Sequence, residues 1–270
     1  MSAAALPSLW RAQLRLQFRN DGQKTVLAER ASEGPLVVQK PLYPEGAEVC
    51  HAIVVHPPGG IAGGDALDLE VRTGEHSNAL LTTPGAAKWY RSAGPWARQK
   101  LFFEVAGSLE WLPRETIVFD GALAELECEV RLASAARYIG WEIVCLGRTG
   151  SGERFSRGSL RLHSRVLRGE SLLWTERGAI DGGGALMRSR VGLGGKTVFG
   201  NLIAAAPRFE ASLVNQCRTI AATTVLPGLL IARYLGDSTE EAFEQFRSLW
   251  WRLRPALSGR DAIEPRIWST

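Results

Sequence analysis

Apolar and polar residues alternate with a period of two through most of the first 176 residues, and this pattern constrains the fold more than any other feature of the chain. In the segment 124–132, the residues at even positions are Ala, Leu, Cys, Val and Leu, and those between them are Glu, Glu, Glu and Arg. Successive side chains of a strand point to opposite faces, so the pattern predicts strands with one buried face. Because no helical period interrupts it, the sequence predicts a mainly β fold with an extended or layered architecture.

Short apolar or alternating runs bounded by Gly, Pro or Asp predict further strands at 48–55, 79–83, 99–105, 137–146, 159–167 and 171–176. A helical period is found only later in the chain. It predicts one helix at 208–221 and a second at 238–254, where Ser238 and Glu241 form a capping box and Pro255 ends the helix. The aromatic face of the second helix is expected to belong to the core.

The chain has 270 residues, of which 45% are hydrophobic, and this is enough for one large core or two small ones. No linker, charge block or fixed-period repeat divides it, so a single domain spanning 1–270 is expected. The first nine residues are too short and too weakly apolar for a signal peptide, and no segment approaches the roughly 18 apolar residues of a membrane helix. We therefore expect a soluble, cytoplasmic protein that does not use a membrane.

The formal net charge of +4 is spread over a surface in which acidic and basic residues are interleaved. A mixed, solvated surface explains this charge better than a phosphate-binding stripe, so nucleic acid is not an expected partner. Most of the basic residues are Arg. This bias favours planar, bidentate contacts with carboxylates at protein interfaces.

The four cysteines, Cys50, Cys128, Cys145 and Cys217, match no zinc, redox or secreted disulfide spacing, and we expect reduced thiols, mainly in the core. Cys50 and His51 are adjacent on a predicted strand, so their side chains point to opposite faces and cannot share one metal ion. The chain has only four histidines. Any metal that the protein handles is therefore expected to bind weakly or transiently, without a tightly bound cofactor.

The segment 192–197 contains a Gly-Lys-Thr that suggests a phosphate-binding loop. Such a loop needs a glycine five positions before the glycine that precedes the lysine, and Arg190 stands there. The residues that follow, 198–206, have the composition of a strand, whereas the motif requires a helix whose N-terminus holds the phosphate. A nucleotide hydrolase that uses Lys196 is not expected, and we predict no catalytic residues.

The run 56–65 reads His-Pro-Pro-Gly-Gly-Ile-Ala-Gly-Gly-Asp, which generic folding does not require. Prolines remove backbone donors and glycines remove packing side chains, so this backbone is costly to order. It is either a surface turn or a backbone shaped around a function. Its glycine spacing, with no helix after it, does not fit a dinucleotide-binding loop.

Three carboxylates stand beside apolar or glycine-rich residues. Asp65 ends the glycine run, Glu142 lies within an apolar strand, and Glu176 follows the apolar residues 172–174. A carboxylate flanked in this way is either a solvent-facing strand residue or a charge inside a water-filled passage. The residues alone leave both interpretations open.

A further candidate is the segment Lys88-Trp89-Tyr90-Arg91, which follows a Pro-Gly turn. Aromatic and basic residues together are typical of an interface hot spot. A buried Trp89 is an equally good interpretation of the same residues.

The order and spacing of these segments resemble those of the urease accessory protein D family, called UreH in some species. The residues that carry the resemblance are Gly34-Pro35-Leu36, Gln39-Lys40-Pro41-Leu42-Tyr43-Pro44-Glu45-Gly46, Cys50-His51, the run 56–65, Thr83-Pro84-Gly85-Ala86-Ala87-Lys88-Trp89-Tyr90-Arg91-Ser92, Trp111-Leu112-Pro113, Cys145-Leu146-Gly147-Arg148, Arg254-Pro255, Leu257, Gly259 and Pro265-Arg266-Ile267-Trp268. The resemblance extends from about residue 10 to residue 268 and is least specific between about 178 and 235.

The resemblance implies a mostly β body with solenoid-like character and two helices near the C-terminus. It also implies a non-enzymatic factor in urease maturation that binds UreF, reaches the GTPase UreG through UreF, contacts apo-urease, and forms a dimeric assembly through UreF. Nickel would pass transiently through this chain to urease. Asp65 and Glu176 match family positions associated with nickel passage, and Glu142 matches another acidic position. The alternative is a pure scaffold that opens urease for metal loading without conducting nickel.

Overall fold

The computed structural model describes residues 10–269, and strands dominate it. Strands make up 48% of the structure and helices 16%, which confirms the predicted mainly β class. The strands are β1 (Arg11–Asn20), β2 (Thr25–Glu33), β3 (Val37–Val38), β4 (Val49–Val55), β5 (Ala66–Thr73), β6 (Asn78–Thr82), β7 (Ala87–Trp89), β8 (Ala97–Val105), β9 (Ser108–Leu112), β10 (Thr116–Val118), β11 (Leu123–Leu132), β12 (Arg137–Leu146), β13 (Ser159–Arg168), β14 (Ser171–Asp181), β15 (Val198–Ala205), β16 (Ala222–Leu226) and β17 (Leu229–Gly236). The helices are α1 (Ala185–Arg188), α2 (Ala211–Ile220) and α3 (Thr239–Ser258).

The strands form two sheets. The first sheet has seven strands in the order β14-β13-β11-β8-β5-β1-β2. The second sheet has ten strands, of which eight follow the order β16-β17-β15-β12-β9-β6-β4-β3, while β10 pairs with β12 and with β7. Each of the six predicted strand segments corresponds to one strand, and β12 has the predicted bounds. The segment predicted to end at residue 176 continues as β14 to Asp181.

The central strands of both sheets are parallel. In the first sheet, β1, β5, β8, β11 and β13 pair in parallel, and in the second sheet β4, β6, β9 and β12 do so. Along the chain, β4, β5 and β6 lie alternately in the second, first and second sheets, and β11, β12 and β13 continue in the same manner. Parallel neighbours are therefore joined through a strand of the opposite sheet, where the usual crossover would be a helix.

The apolar side chains form two core clusters. One cluster fills the space between the sheets and includes Leu14, Phe18 and Phe103. The other lies between the second sheet and the helices α2 and α3, and its fully buried members include Phe246 and Trp250. The aromatic face of α3 is thus core, as predicted.

The helix α3 begins as predicted but ends later. The Glu241 backbone N–H donates to Ser238 Oγ at 3.2 Å, which confirms the cap. The predicted end at Pro255 is wrong, because the helix continues to Ser258 and stops at Gly259, whose φ is +69°. A proline in the last turn loses one backbone hydrogen bond, and burial of Leu257 beyond it holds that turn in place. The four-residue helix α1 was not predicted.

A buried ion-pair network joins α3 to the rest of the fold. The side chain of Arg254 is 1% exposed, and it contacts Glu110 at 2.9 Å and Glu45 at 2.7 Å. Glu110 also accepts a hydrogen bond from Trp250 Nε1, and Glu45 lies within hydrogen-bond distance of His51 Nε2. These contacts tie the helix to β9, to β4 and to the loop before β4.

The four cysteines are free thiols, and Cys50, Cys145 and Cys217 are buried as predicted. Cys50 belongs to the core between the sheets, whereas the neighbouring His51 points away from it toward Glu45. Of the helices in residues 10–269, none combines the length and apolar character needed to cross a membrane.

Candidate functional site

A cavity of about 420 Å³ lies between the two sheets. β5, β8, β11 and β13 line it from the first sheet, and β9, β12 and β15 line it from the second, so it interrupts the core layer. Its wall is mainly apolar, with the aromatic rings of Trp111, Tyr138 and Trp174. The polar and charged side chains in the wall include His56, Gln99, Cys128, Glu142, Ser164, Arg165 and Asn201.

Glu142 faces the cavity from β12. One face of this strand packs against α3, and the other borders the space between the sheets. Ile139, Trp141 and Ile143 pack toward α3, so the alternate residues, Glu142 among them, point to the layer between the sheets. Within residues 10–269 the Glu142 carboxylate has no hydrogen-bond or ion-pair partner. Burial, followed by the negative charge of Glu176, raises the pKa of Glu142 to about 7. Glu142 is thus a carboxyl group without a counter-charge in a largely apolar wall.

Glu176 reaches the same region from the edge of the first sheet. Its Oε2 accepts a hydrogen bond from Asn201 Nδ2 at 2.8 Å, and its Oε1 pairs with Arg233 Nη1 at 2.8 Å. Asn201 is the register partner of Glu142 on one side and of Arg233 on the other. We call Glu176, Asn201 and Arg233 the edge clasp, since they connect the edge strand β14 to β15 and β17 of the second sheet.

Asp65 lies beside the cavity at the start of β5. Its Oδ2 accepts a hydrogen bond from the Ala62 N–H at 2.8 Å, and its own N–H donates to the Ala62 carbonyl oxygen at 3.0 Å, so Asp65 closes the turn that contains it. Its charge acts on His56, which lines the cavity. Burial lowers the pKa of His56, and the attraction to Asp65 opposes that effect.

The three carboxylates therefore do not form one site. The order of the first sheet places β5 four strand intervals from β14. At about 4.8 Å per interval, Asp65 and Glu176 are separated by roughly 19 Å across the sheet. Glu142 lies near Glu176, as the effect on its pKa shows. The structure brings Glu142 and Glu176 together at one side of the cavity and places Asp65 with His56 at the other.

The glycine run 56–65 packs closely against the segment 88–92. The Ile61 N–H donates to the Lys88 carbonyl oxygen at 2.7 Å, and the Tyr90 N–H donates to the Ile61 carbonyl oxygen at 2.8 Å. A Cβ at Gly60 would overlap the Tyr90 ring, and a Cβ at Gly63 would overlap Ser92. Glycine at these two positions leaves room for the side chains of Tyr90 and Ser92, so the run packs closely against the neighbouring segment and is more than a surface turn.

Three of the four interface candidates reach solvent. Lys88 and Arg91 are exposed, and Tyr90 is 41% exposed. Trp89 is 1% exposed and lies in the core between the sheets, so it supports the segment from beneath and offers no surface to a partner.

The lysine of the Gly-Lys-Thr segment is part of a surface ion pair. Lys196 Nζ lies 2.7 Å from Asp237 Oδ2, and the chain continues into the strand β15, as predicted. A phosphate-binding loop would instead lead into a helix.

Within residues 10–269, no group of three or more His, Cys, Asp or Glu side chains is arranged to hold a metal ion.

Sequence reasoning missed two members of the edge clasp. Asn201 and Arg233 stand 25 and 57 positions from Glu176, in a region without a distinctive motif. No local pattern indicates that these three residues meet, because the contact depends on the order of strands in two sheets.

Comparison with known proteins identifies the family. The model of the family described as UreD urease accessory protein matches residues 11–269. Proteins named urease accessory protein UreD are similar to the chain in Azoarcus sp. (51% identity, 99% of this chain and 96% of the relative), in Dechloromonas aromatica (50%, 97% and 95%) and in Pseudomonas aeruginosa (49%, 99% and 99%). The chain belongs to the UreD family of urease accessory proteins. The resemblance drawn from the sequence is confirmed.

Proposed function

We propose that the protein is a non-enzymatic, cytoplasmic factor of urease maturation that conducts nickel to apo-urease through the cavity between its sheets. Its partners in this proposal are UreF, the GTPase UreG bound through UreF, and apo-urease, with UreF also mediating a dimeric assembly. Nickel is the cargo, held transiently, and the GTP is hydrolysed by UreG.

The observation that carries the proposal is the Glu142 carboxyl group in the cavity wall. A buried carboxylate without a counter-charge attracts cations strongly, because little water screens it. A cation that enters beside Asp65 would meet Glu142 inside the cavity and Glu176 at the far side, so attractive charges mark both sides of the path.

Release is as important as binding in a passage. A cation moves on only if each site holds it weakly. With a pKa near 7, Glu142 carries a proton for part of the time at neutral pH, so it binds a cation less tightly than an ordinary carboxylate. Residues 10–269 also contain no cluster of several carboxylates that would hold a cation more tightly.

The scaffold alternative also has support. Both oxygens of Glu176 are occupied by protein donors, and Asp65 closes its own turn, so both residues have structural roles. In the scaffold interpretation, urease maturation depends only on the shape and hydrogen bonds of these side chains. In the conduit interpretation, nickel delivery depends on their negative charge as well.

Isosteric substitutions separate the two interpretations. Asp65→Asn keeps an oxygen that can accept from Ala62, and Glu176→Gln keeps an oxygen that can accept from Asn201, while each variant loses its charge. Glu142→Gln removes the charge inside the cavity. We expect all three to assemble with UreF and urease by size-exclusion chromatography and to lower the nickel content and activity of urease at limiting nickel.

The matched control is Glu127→Gln, which removes a carboxylate from the opposite face of β11, away from the cavity. It should load nickel at the parental rate. If the combined variant Asp65→Asn/Glu142→Gln/Glu176→Gln assembles and loads nickel as fast as the parent, the conduit proposal fails and the scaffold remains.

A further inference from the structure

The edge clasp lies at the side of the cavity where Asn201 forms part of the wall. Asn201 belongs to the cavity wall, whereas the side chain of Arg233 is 52% exposed. Glu176, whose side chain is 31% exposed, lies between them and contacts both. The carboxylate therefore stands between the cavity and solvent.

The two oxygens of Glu176 have different partners. Asn201 is neutral and fixes the position of Oε2, while Arg233 brings a full positive charge to Oε1. A cation that approaches Glu176 must share this carboxylate with the guanidinium or displace it. The Glu142 carboxylate, by contrast, has no such counterion within residues 10–269.

The contact with Arg233 can be broken without unfolding the sheets. β14 is an edge strand that pairs with β13, and its link to β15 and β17 described above is made by side chains. Ion pairs that are partly exposed to water contribute little to stability, because solvent screens them. A divalent cation, with twice the charge, competes for the carboxylate more effectively than a monovalent one.

We infer that Arg233 is a resident counterion that closes the cavity at Glu176, and that a divalent cation must displace it to pass. This inference rests on the proposed passage of nickel through the cavity. It makes Arg233 a residue that positions Glu176 and restricts passage to ions able to compete with a guanidinium.

The test is nickel binding to the full-length chain purified in complex with UreF, measured by isothermal titration calorimetry with nickel chloride. Arg233→Gln removes the competing charge and should tighten the Glu176-dependent binding of nickel about two- to tenfold. Arg233→Lys keeps a positive charge and should bind nickel more like the parent. Arg233→Gln combined with Glu176→Gln should lose the gain.

The matched control is Arg177→Gln. Arg177 is the next residue of β14, so it points to the opposite face, where its Nε donates to His163. This variant makes the same change in net charge and should bind nickel with parental affinity. Equal tightening in Arg177→Gln and Arg233→Gln would show a general charge effect and overturn the inference, as would parental or weaker binding in Arg233→Gln.

Failure of this inference is distinct from failure of the conduit. If Glu176→Gln lowers urease loading but Arg233→Gln binds nickel like the parent, nickel passes Glu176 without a resident counterion. If Glu142→Gln and Glu176→Gln both load urease at the parental rate, the conduit fails, whatever the calorimetry shows for Arg233.

Discussion

Replacement of Arg254 by Met should destabilise the fold strongly, because it removes the positive charge from a buried network. Arg254 contacts both Glu110 and Glu45, and all three side chains are less than 10% exposed. Loss of the guanidinium leaves two buried carboxylates with His51 as the remaining basic neighbour. Removal of one partner from a buried ion pair typically costs about 3–5 kcal/mol. We expect the free energy of unfolding to fall by that amount.

The same variant should be more sensitive to acid. Burial raises the pKa of Glu45, but the hydrogen bond from His51 and the attraction to Arg254 outweigh this effect, so the pKa of Glu45 lies below that of an ordinary glutamate. At pH values between the folded and unfolded pKa of Glu45, the folded state therefore holds fewer protons than the unfolded state. The stabilisation from Glu45 is present above the unfolded pKa and is lost as pH falls. Without Arg254 the loss should begin at a higher pH.

Urea unfolding followed by tryptophan fluorescence and far-UV circular dichroism measures both effects. Arg252→Met is the matched control, since Arg252 is an exposed residue of the same helix, and it should change stability by less than about 0.5 kcal/mol. Adding Glu45→Gln and Glu110→Gln to Arg254→Met should recover part of the loss, because no unpaired charge is then buried. If Arg254→Met costs no more than Arg252→Met, the network does not hold α3 as argued.

Gly60→Ala should lower the free energy of unfolding by about 1–3 kcal/mol, since the added methyl group meets the Tyr90 ring, whereas Gly85→Ala, which points into open space, should be near neutral. Equal urea midpoints for these two variants would contradict the close packing of the glycine run. Lys196→Ala removes an exposed contact with Asp237 and should leave urease activation unchanged in an assay with purified components. Micromolar GTP binding that depends on Lys196 would show that the segment 192–197 does hold phosphate.

Local patterns in the sequence account for most of the strands and for the start of α3. The alternation in β11 predicts the burial of Ala124, Leu126, Val130 and Leu132, although Glu129 of the polar face is buried as well. Ser238 marks the start of the helix. The later end of α3 was not predictable from Pro255, because burial of Leu257 in the tertiary core extends the last turn. Local sequence signals do not predict the end of a helix where tertiary packing determines it.

The candidate site was only partly predictable, for a related reason. The apolar residues around Glu142 cover both faces of β12, and nothing in that strand shows which face borders a cavity. The location of Glu176 beside Arg233 depends on the edge of one sheet meeting another, so strand propensity carries no information about it. The residues themselves could be named from the sequence, but their relation in space could not.

The alternation of the chain between two sheets has a consequence for how the protein folds. β1 pairs in parallel with β5, so Arg11 meets its register partner Ala66 only after the chain between them has been placed. Of the strands in between, β2 pairs with β1 in the same sheet, whereas β3 and β4 belong to the other sheet. Local hairpins form at β1–β2, β13–β14 and β16–β17, while the parallel centre requires contacts between distant parts of the chain. Such topologies fold slowly and leave strand edges unpaired in the meantime. A newly made chain is therefore most vulnerable to aggregation before the parallel strands at the centre of its sheets have paired. A partner that binds early would protect it during that interval.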